Sequence, residues 1–251
     1  MDKKLAYVIP NFFTTLNMAC GFFAVLASFK SQFYMACIFV MVGAIFDLVD
    51  GKIARWMGVQ SRFGEQLDSL SDLITFAMAP ALIFYLKFLS GSGRLGMIVC
   101  FFYLACGAFR LARFNANIGK VDSNYFQGLP SPSAALGIVG LVLFHNEFPF
   151  FEEIPKVFAL YIFLYAILMI TTIPFPAFKQ TSWVVKNRQK FLAISLIVIL
   201  SIVIYEEIML FVFINMYVLF SLIYFMLKKR HARVIDILPD EDEHHLEEPG
   251  K

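Results

Sequence analysis

The stretch DLVDGKIARWMGVQSRFGEQLDSLSD, residues 47–72, decides how this chain is read. Its aspartates Asp47, Asp50, Asp68 and Asp72 stand between two apolar runs, FYMACIFVMVGAIF (33–46) and LITFAMAPALIFYL (73–86). The first pair is spaced i,i+3 and the second i,i+4, so each pair shares a face if its segment is helical. A carboxylate in a membrane span costs several kcal/mol unless it is paired, ion-bound or facing water. Four of them at helical spacing, with glycines and an arginine between, point to a divalent-metal site.

The rest of the chain supplies the apolar setting. Of 251 residues, 59% are apolar and 16% charged, with mean hydropathy +0.72. A soluble domain carries about 25% charged residues. The apolar residues come in runs long enough to span a bilayer. The expected fold is all-α, a polytopic transmembrane helical bundle of about eight spans, near 12–29, 32–56, 66–88, 95–114, 132–147, 157–174, 190–205 and 207–227. A net charge of +2 argues against a nucleic-acid partner. Cys20, Cys37, Cys100 and Cys106 lie inside apolar runs and read as small buried hydrophobes. The N-terminus carries no cleavable signal-peptide pattern.

Charge asymmetry orients the bundle. Sixteen basic residues fall at one set of span ends and four (Lys30, Lys87, Arg94, Lys156) at the other, beside the acidic stretches HNEFPFFEE and YEE. Both termini and the 47–72 motif are therefore expected on the cytoplasmic side of the cell membrane. Residues 1–234 read as one domain, and 235–251 as an acidic, disordered tail. The basic run KQTSWVVKNRQK (179–190) reads as a loop lying on anionic lipid. His145, Glu206 and Glu207 fall on the far side and receive no catalytic role.

Taken as chemistry, the two aspartate faces make an oxygen-rich cage suited to Mg²⁺ or Mn²⁺, with room for two ions. Gly51, Ala54 and Gly64 withhold side-chain bulk, so a ligand can approach the helix backbone. Arg55, with Lys52 and Arg62 nearby, offers positive charge to phosphates. Metal, arginine and bare backbone together suit a pyrophosphate.

The spacing Asp-x₂-Asp-Gly-x₂-Ala-Arg-x₈-Gly-x₃-Asp-x₃-Asp, filled by Asp47, Asp50, Gly51, Ala54, Arg55, Gly64, Asp68 and Asp72, resembles the signature of the CDP-alcohol phosphatidyltransferases. The resemblance implies metal ligation by Asp47, Asp50 and Asp68. It implies that Asp72 contacts metal too and acts as general base for the incoming alcohol. It also implies that Gly51, Ala54, Arg55 and Gly64 line the nucleotide site. Upstream, PNFFTTLN (10–17) resembles the family's polar entry to the first span, which would put Asn11 and Thr14 near the cytidine or ribose. The same residues also read as a helix start.

The acceptor must be read outside that motif. FRLARFN (109–115) and FQGLPSPSAA (126–135) resemble the membrane-embedded phosphatidylserine synthases of bacteria. Arg110 and Arg113 share a helical face and could hold a carboxylate or lipid phosphate, with Asn115 and Ser131 nearby. They also read as anchors snorkelling to the interface. The resemblance implies phosphatidyl transfer from CDP-diacylglycerol to L-serine with release of CMP, by a homodimer. A sibling transferase using glycerol 3-phosphate or inositol phosphate is the nearer alternative. An ion-coupled transporter is the remote one, because no acidic path crosses the remaining spans.

Overall fold

In the computed structural model, the residues described are 3–59, 61–117, 125–149, 154–176 and 188–227. Helices make up 89% of them, so the chain is all-α. Residues 179–187 of the basic run and the acidic tail lie outside the described residues.

Helices α1 (Lys3–Phe29) and α2 (Phe33–Met57) form an antiparallel hairpin. Its turn places Ser31 at φ 58° and closes with the Gln32 N–H donating to the Ala27 carbonyl at 3.0 Å. α2 then ends on Gly58, whose left-handed φ of 63° is favourable for glycine. The N–H groups of Gly58 and Val59 fold back onto the Arg55 and Ala54 carbonyls. Three residues later Ser61, in an extended conformation, accepts the Gly64 N–H at 3.0 Å and caps α3 (Arg62–Asp72). This stop-and-cap turn folds the second aspartate pair back toward the first. It also starts α3 four residues before the expected span at 66.

From Arg62 to Ala116 the chain is helical but uneven. A π-helical stretch (Leu73–Met78) leads into α4 (Ala79–Phe84). A second π stretch (Tyr85–Leu89), a short 3₁₀ turn (Ser90–Ser92) and α5 (Gly93–Ala116) follow. Pro80 accounts for the first irregularity. It has no N–H to give the Phe76 carbonyl, and its ring crowds that group. The Tyr103 hydroxyl from α5 donates to this carbonyl instead, at 3.2 Å. Phe76 and Tyr103 lie on opposite sides of the turn at 90–93 in sequence, so the 55-residue stretch doubles back on itself.

α6 (Ser131–Glu147), α7 (Pro155–Ile170), α8 (Arg188–Ile204) and α9 (Glu206–Leu227) complete the bundle. An antiparallel pair, β1 (Tyr125–Gln127) and β2 (Pro174–Pro176), joins the loops before α6 and after α7, with Phe126 opposite Phe175. The pair was not anticipated, and it corrects the end of the sixth span: the segment expected to run to 174 ends at Ile170. The Thr171 hydroxyl folds back onto the Leu168 carbonyl at 2.9 Å, and Pro174 and Pro176 suit strand but not helix interior.

Among the described residues, four helical segments are long and apolar enough to cross a membrane: Val8–Phe29, Phe33–Met57, Arg62–Ala116 and Glu206–Met226. Large side chains such as Phe101, Phe109, Leu160, Val203 and Met226 are exposed on the outside, which water would penalise and lipid does not. The interior is closed by Phe76, Phe84, Tyr103, Ile138, Leu143, Ile162 and Met169. All four cysteines are buried free thiols.

Contacts sort the helix ends into two groups. At one end Lys87 lies over the Phe33 ring, Phe88 stacks on Phe158 with centroids 4.1 Å apart, and His145 packs edge-on against Phe88. There too the Tyr34 hydroxyl meets Glu206 at 2.7 Å. The four aspartates, Arg110, Arg113, Ser131 and the last turn of α7 are at the other end.

Candidate active site

The reversal at Gly58–Ser61 brings α2 and α3 together so that one carboxylate oxygen from each of Asp47, Asp50 and Asp68 lies within 4.8 Å of the others. At an effective dielectric near 20, two unit negative charges that far apart repel by roughly 3.5 kcal/mol. Asp50 is buried and its Oδ2, like Oδ1 of Asp68, has no partner among the described residues. Orphaned buried carboxylate oxygens are costly, so this donor set fits a hard divalent cation. Arg55 is exposed, and its guanidinium folds over Gly51.

The two motif glycines differ in what they border. A methyl group built on Gly64 would approach Asn11 Oδ1 and Ser61 Oγ at 3.2 Å, so Asn11 reaches the start of α3. A methyl on Gly51 would meet nothing nearer than the Arg55 guanidinium nitrogens, at 3.7 Å. Protein packing therefore does not require glycine at 51. Ala54, half-buried one turn beyond Asp50, gives its carbonyl to the α2 cap. Thr14 is buried against the cluster, its hydroxyl donating to the Pro10 carbonyl at 3.1 Å.

Asp72, the last residue of α3, lies outside that close triad but within electrostatic reach of all three of its carboxylates. Its Oδ1 accepts from Asn17 Nδ2 at 3.3 Å. Around this contact two hydroxyls of one helix bond two carbonyls of another. Ser71 Oγ donates to the Thr14 carbonyl at 3.0 Å, and Thr75 Oγ1 to the Asn17 carbonyl at 2.9 Å. Asn17, Ser71 and Thr75 were missed in the sequence, although a signal was present. Asn11, Thr14 and Asn17 recur on one face of α1, as do Asp68, Ser71, Asp72 and Thr75 on the facing helix.

Near Asp72, Arg110 of α5 is buried. Its NH1 donates to Ser131 Oγ at 2.7 Å, while Nε has no partner among the described residues. Arg110 is also within electrostatic reach of Asp72. Arg113, its expected equal, is engaged elsewhere. Its NH1 donates to the Ile170 carbonyl at 2.7 Å, and NH2 lies 2.9, 3.1 and 3.2 Å from the carbonyls of Gln127, Met169 and Thr171. It thus caps the C-terminus of α7 and ties β1 to it. Gly128, at φ 72°, packs its bare Cα against the same Met169 and Thr171 carbonyls. Asn115 exchanges hydrogen bonds with Ser69, at 2.8 and 3.3 Å, fastening the end of α5 to α3.

Replacing Arg113 with glutamine is expected to cost about 2 kcal/mol of stability, the range for hydrogen bonds from a charged donor. Lysine should not restore it, because a single ammonium cannot reach carbonyls of three successive residues and of β1 together. Thermal unfolding of the detergent-solubilised variants checks both.

A model of the CDP-alcohol phosphatidyltransferase family matches residues 7–178, and the chain belongs to that family. The family is metal-dependent, in keeping with the triad. The chain is similar to several proteins named CDP-diacylglycerol–serine O-phosphatidyltransferase. That of Helicobacter pylori (strain ATCC 700392 / 26695) is 36% identical over 219 residues, which cover 86% of this chain and 90% of the relative. That of Methanocaldococcus jannaschii is 36% identical over 170 residues, 68% of this chain and 74% of the relative. That of Bacillus subtilis (strain 168) is 31% identical over 172 residues, 68% and 92% respectively.

Proposed function

We propose that the protein is a phosphatidylserine synthase, which moves the phosphatidyl group of CDP-diacylglycerol onto the hydroxyl of L-serine and releases CMP. The observation that carries serine is Arg110, a buried guanidinium beside Asp72 with one nitrogen on Ser131 and Nε without a partner among the described residues. Serine brings a carboxylate that such a group binds well. The names of the similar proteins support the same acceptor.

Asp47, Asp50, Asp68 and Asp72 would hold Mg²⁺ or Mn²⁺, two ions in this reading. Bound divalent cations supply charge neutralisation on the pyrophosphate and the departing CMP. The protein's own residues do the rest. Gly51 and Gly64 leave the backbone open to the nucleotide, Ala54 and Arg55 flank its phosphates, and Asn11 and Thr14 border the cytidine or ribose. Arg110 and Ser131 orient serine, and Asn115 and Arg113 keep α3, α5, β1 and α7 in register around it. Asp72 takes the proton from the serine hydroxyl as its oxygen bonds to the lipid-bearing phosphorus, and the bond from that phosphorus to the CMP oxygen breaks.

In the same reading, residues 1–234 form one domain of eight crossings in the cytoplasmic membrane and act as a homodimer. Both termini and the site face the cytoplasm, because the basic residues gather at that end. There a soluble amino acid meets a lipid whose acyl chains stay in the bilayer.

Purified protein with CDP-diacylglycerol and Mg²⁺ or Mn²⁺ should release CMP when serine is added. It should be far slower with glycerol 3-phosphate or inositol phosphate. Faster turnover with a phosphorylated acceptor would overturn the assignment to serine. Gly51→Ala separates site from fold. It is expected to leave the melting temperature unchanged or raised, since alanine favours helix by about 1 kcal/mol over glycine. CMP binding in the presence of Mn²⁺ should nevertheless weaken at least about tenfold, a loss of about 1.4 kcal/mol, as read by calorimetry.

A further inference from the structure

We propose that Asn17 is a positioning residue that aims the Asp72 carboxylate at the acceptor hydroxyl, an inference resting on Asp72 as the base. Asn17 is wholly buried on α1, and its Nδ2 donates to Asp72 Oδ1. Oδ2 is left as the oxygen that receives the proton. A purely structural asparagine in this core would be expected to satisfy both ends of its amide. Here Oδ1 of Asn17 is buried with no partner among the described residues, a cost of about 1–3 kcal/mol that a leucine of similar size would not carry.

The surroundings hold this amide in place. The Thr75 hydroxyl donates to the Asn17 main-chain carbonyl, and Thr75 itself sits in a notch left by two glycines. A methyl on Gly21 would fall 2.6 Å from Thr75 Oγ1, and one on Gly43 would fall 2.7 Å from its Cγ2 and 3.0 Å from Asn17 Oδ1. Thr75 lies in the π-helical stretch that begins directly after Asp72, where the wider turn changes which side chains face α1. Three helices and a π turn thus converge on one amide next to the base. Without the amide donor, Asp72 is free to swing toward Arg110, which attracts the same carboxylate.

The test is a double-mutant cycle of Asn17→Leu and Asp72→Asn, read by steady-state kinetics and by CMP binding with Mn²⁺. Asn17→Leu alone should lower kcat about 10- to 100-fold, as expected for a misplaced catalytic group. Both KM values and CMP affinity should stay within about twofold. In the Asp72→Asn background the same change should alter the residual rate, followed as labelled lipid over hours, less than about twofold. A multiplicative loss in both backgrounds, or an unchanged kcat with Asp72 intact, overturns the proposal. Full turnover by Asp72→Asn alone would instead remove the base assignment, so the two failures are told apart. If Asn17→Leu does not elute as a folded species, Thr75→Val takes its place. It removes the hydroxyl that holds the Asn17 carbonyl, with a kcat loss of at least about threefold and the same coupling expected. An unchanged kcat or an additive loss then overturns the proposal.

Discussion

Asp72→Asn is expected to lower kcat by about 10²- to 10⁴-fold, the usual contribution of a positioned general base. The change is nearly isosteric and keeps an oxygen for the Asn17 amide, so the hydroxyl-to-carbonyl bonds of Ser71 and Thr75 have no reason to shift. What is lost is a group able to take the proton of the attacking hydroxyl. CMP binding with Mn²⁺ should stay within about tenfold of wild type, because the Asp47–Asp50–Asp68 triad is intact. Single-turnover CMP release and calorimetry on the same preparation separate the two quantities. Wild-type turnover in Asp72→Asn would end its assignment as base.

Asp50→Asn is expected to abolish measurable turnover through a different route. Asp50 is the buried member of the triad, and one of its oxygens lacks a partner among the described residues. Removing its charge should weaken CMP binding with Mn²⁺ by at least about a hundredfold, or 2.7 kcal/mol. In EDTA the variant should melt higher than wild type, because one charge of a mutually repelling group within 4.8 Å is gone. Adding Mn²⁺ should then reverse the ranking. A cation at a hundred times its dissociation constant stabilises the wild-type fold by about 2.7 kcal/mol, and the variant forfeits most of that. Thermal unfolding in EDTA and in Mn²⁺ reads the crossing; equal Mn²⁺ stabilisation of both proteins would argue against Asp50 as a ligand.

The family was legible in the sequence because its signature is local. Asp47, Asp50, Gly51, Ala54 and Arg55 occupy two turns of one helix, and Gly64, Asp68 and Asp72 follow after one short turn. Helical periodicity alone therefore aligns each set on a face. The helical segments were legible for a related reason, since lipid leaves only apolar, internally hydrogen-bonded segments stable. Their ends were less so. Ser61 starts α3 early through its side chain, and Thr171 with two prolines stops α7 early.

Residues acting across helices could not be sorted by spacing. Arg110 and Arg113 look alike on paper, three residues apart on one helix. In the fold, Arg110 faces Ser131 and Asp72, whereas Arg113 reaches four backbone carbonyls of β1 and α7. Asn17 shares a polar face of α1 with Asn11 and Thr14, but only Asp72, 55 positions away, gives it a role. The sequence by itself determined the all-α class and the aspartate motif, because both follow from periodicities shorter than one helical hairpin. Tertiary structure decided which arginine is free for a ligand and which amide orients the carboxylate. Those depend on hydrogen bonds between segments that meet only when the bundle packs.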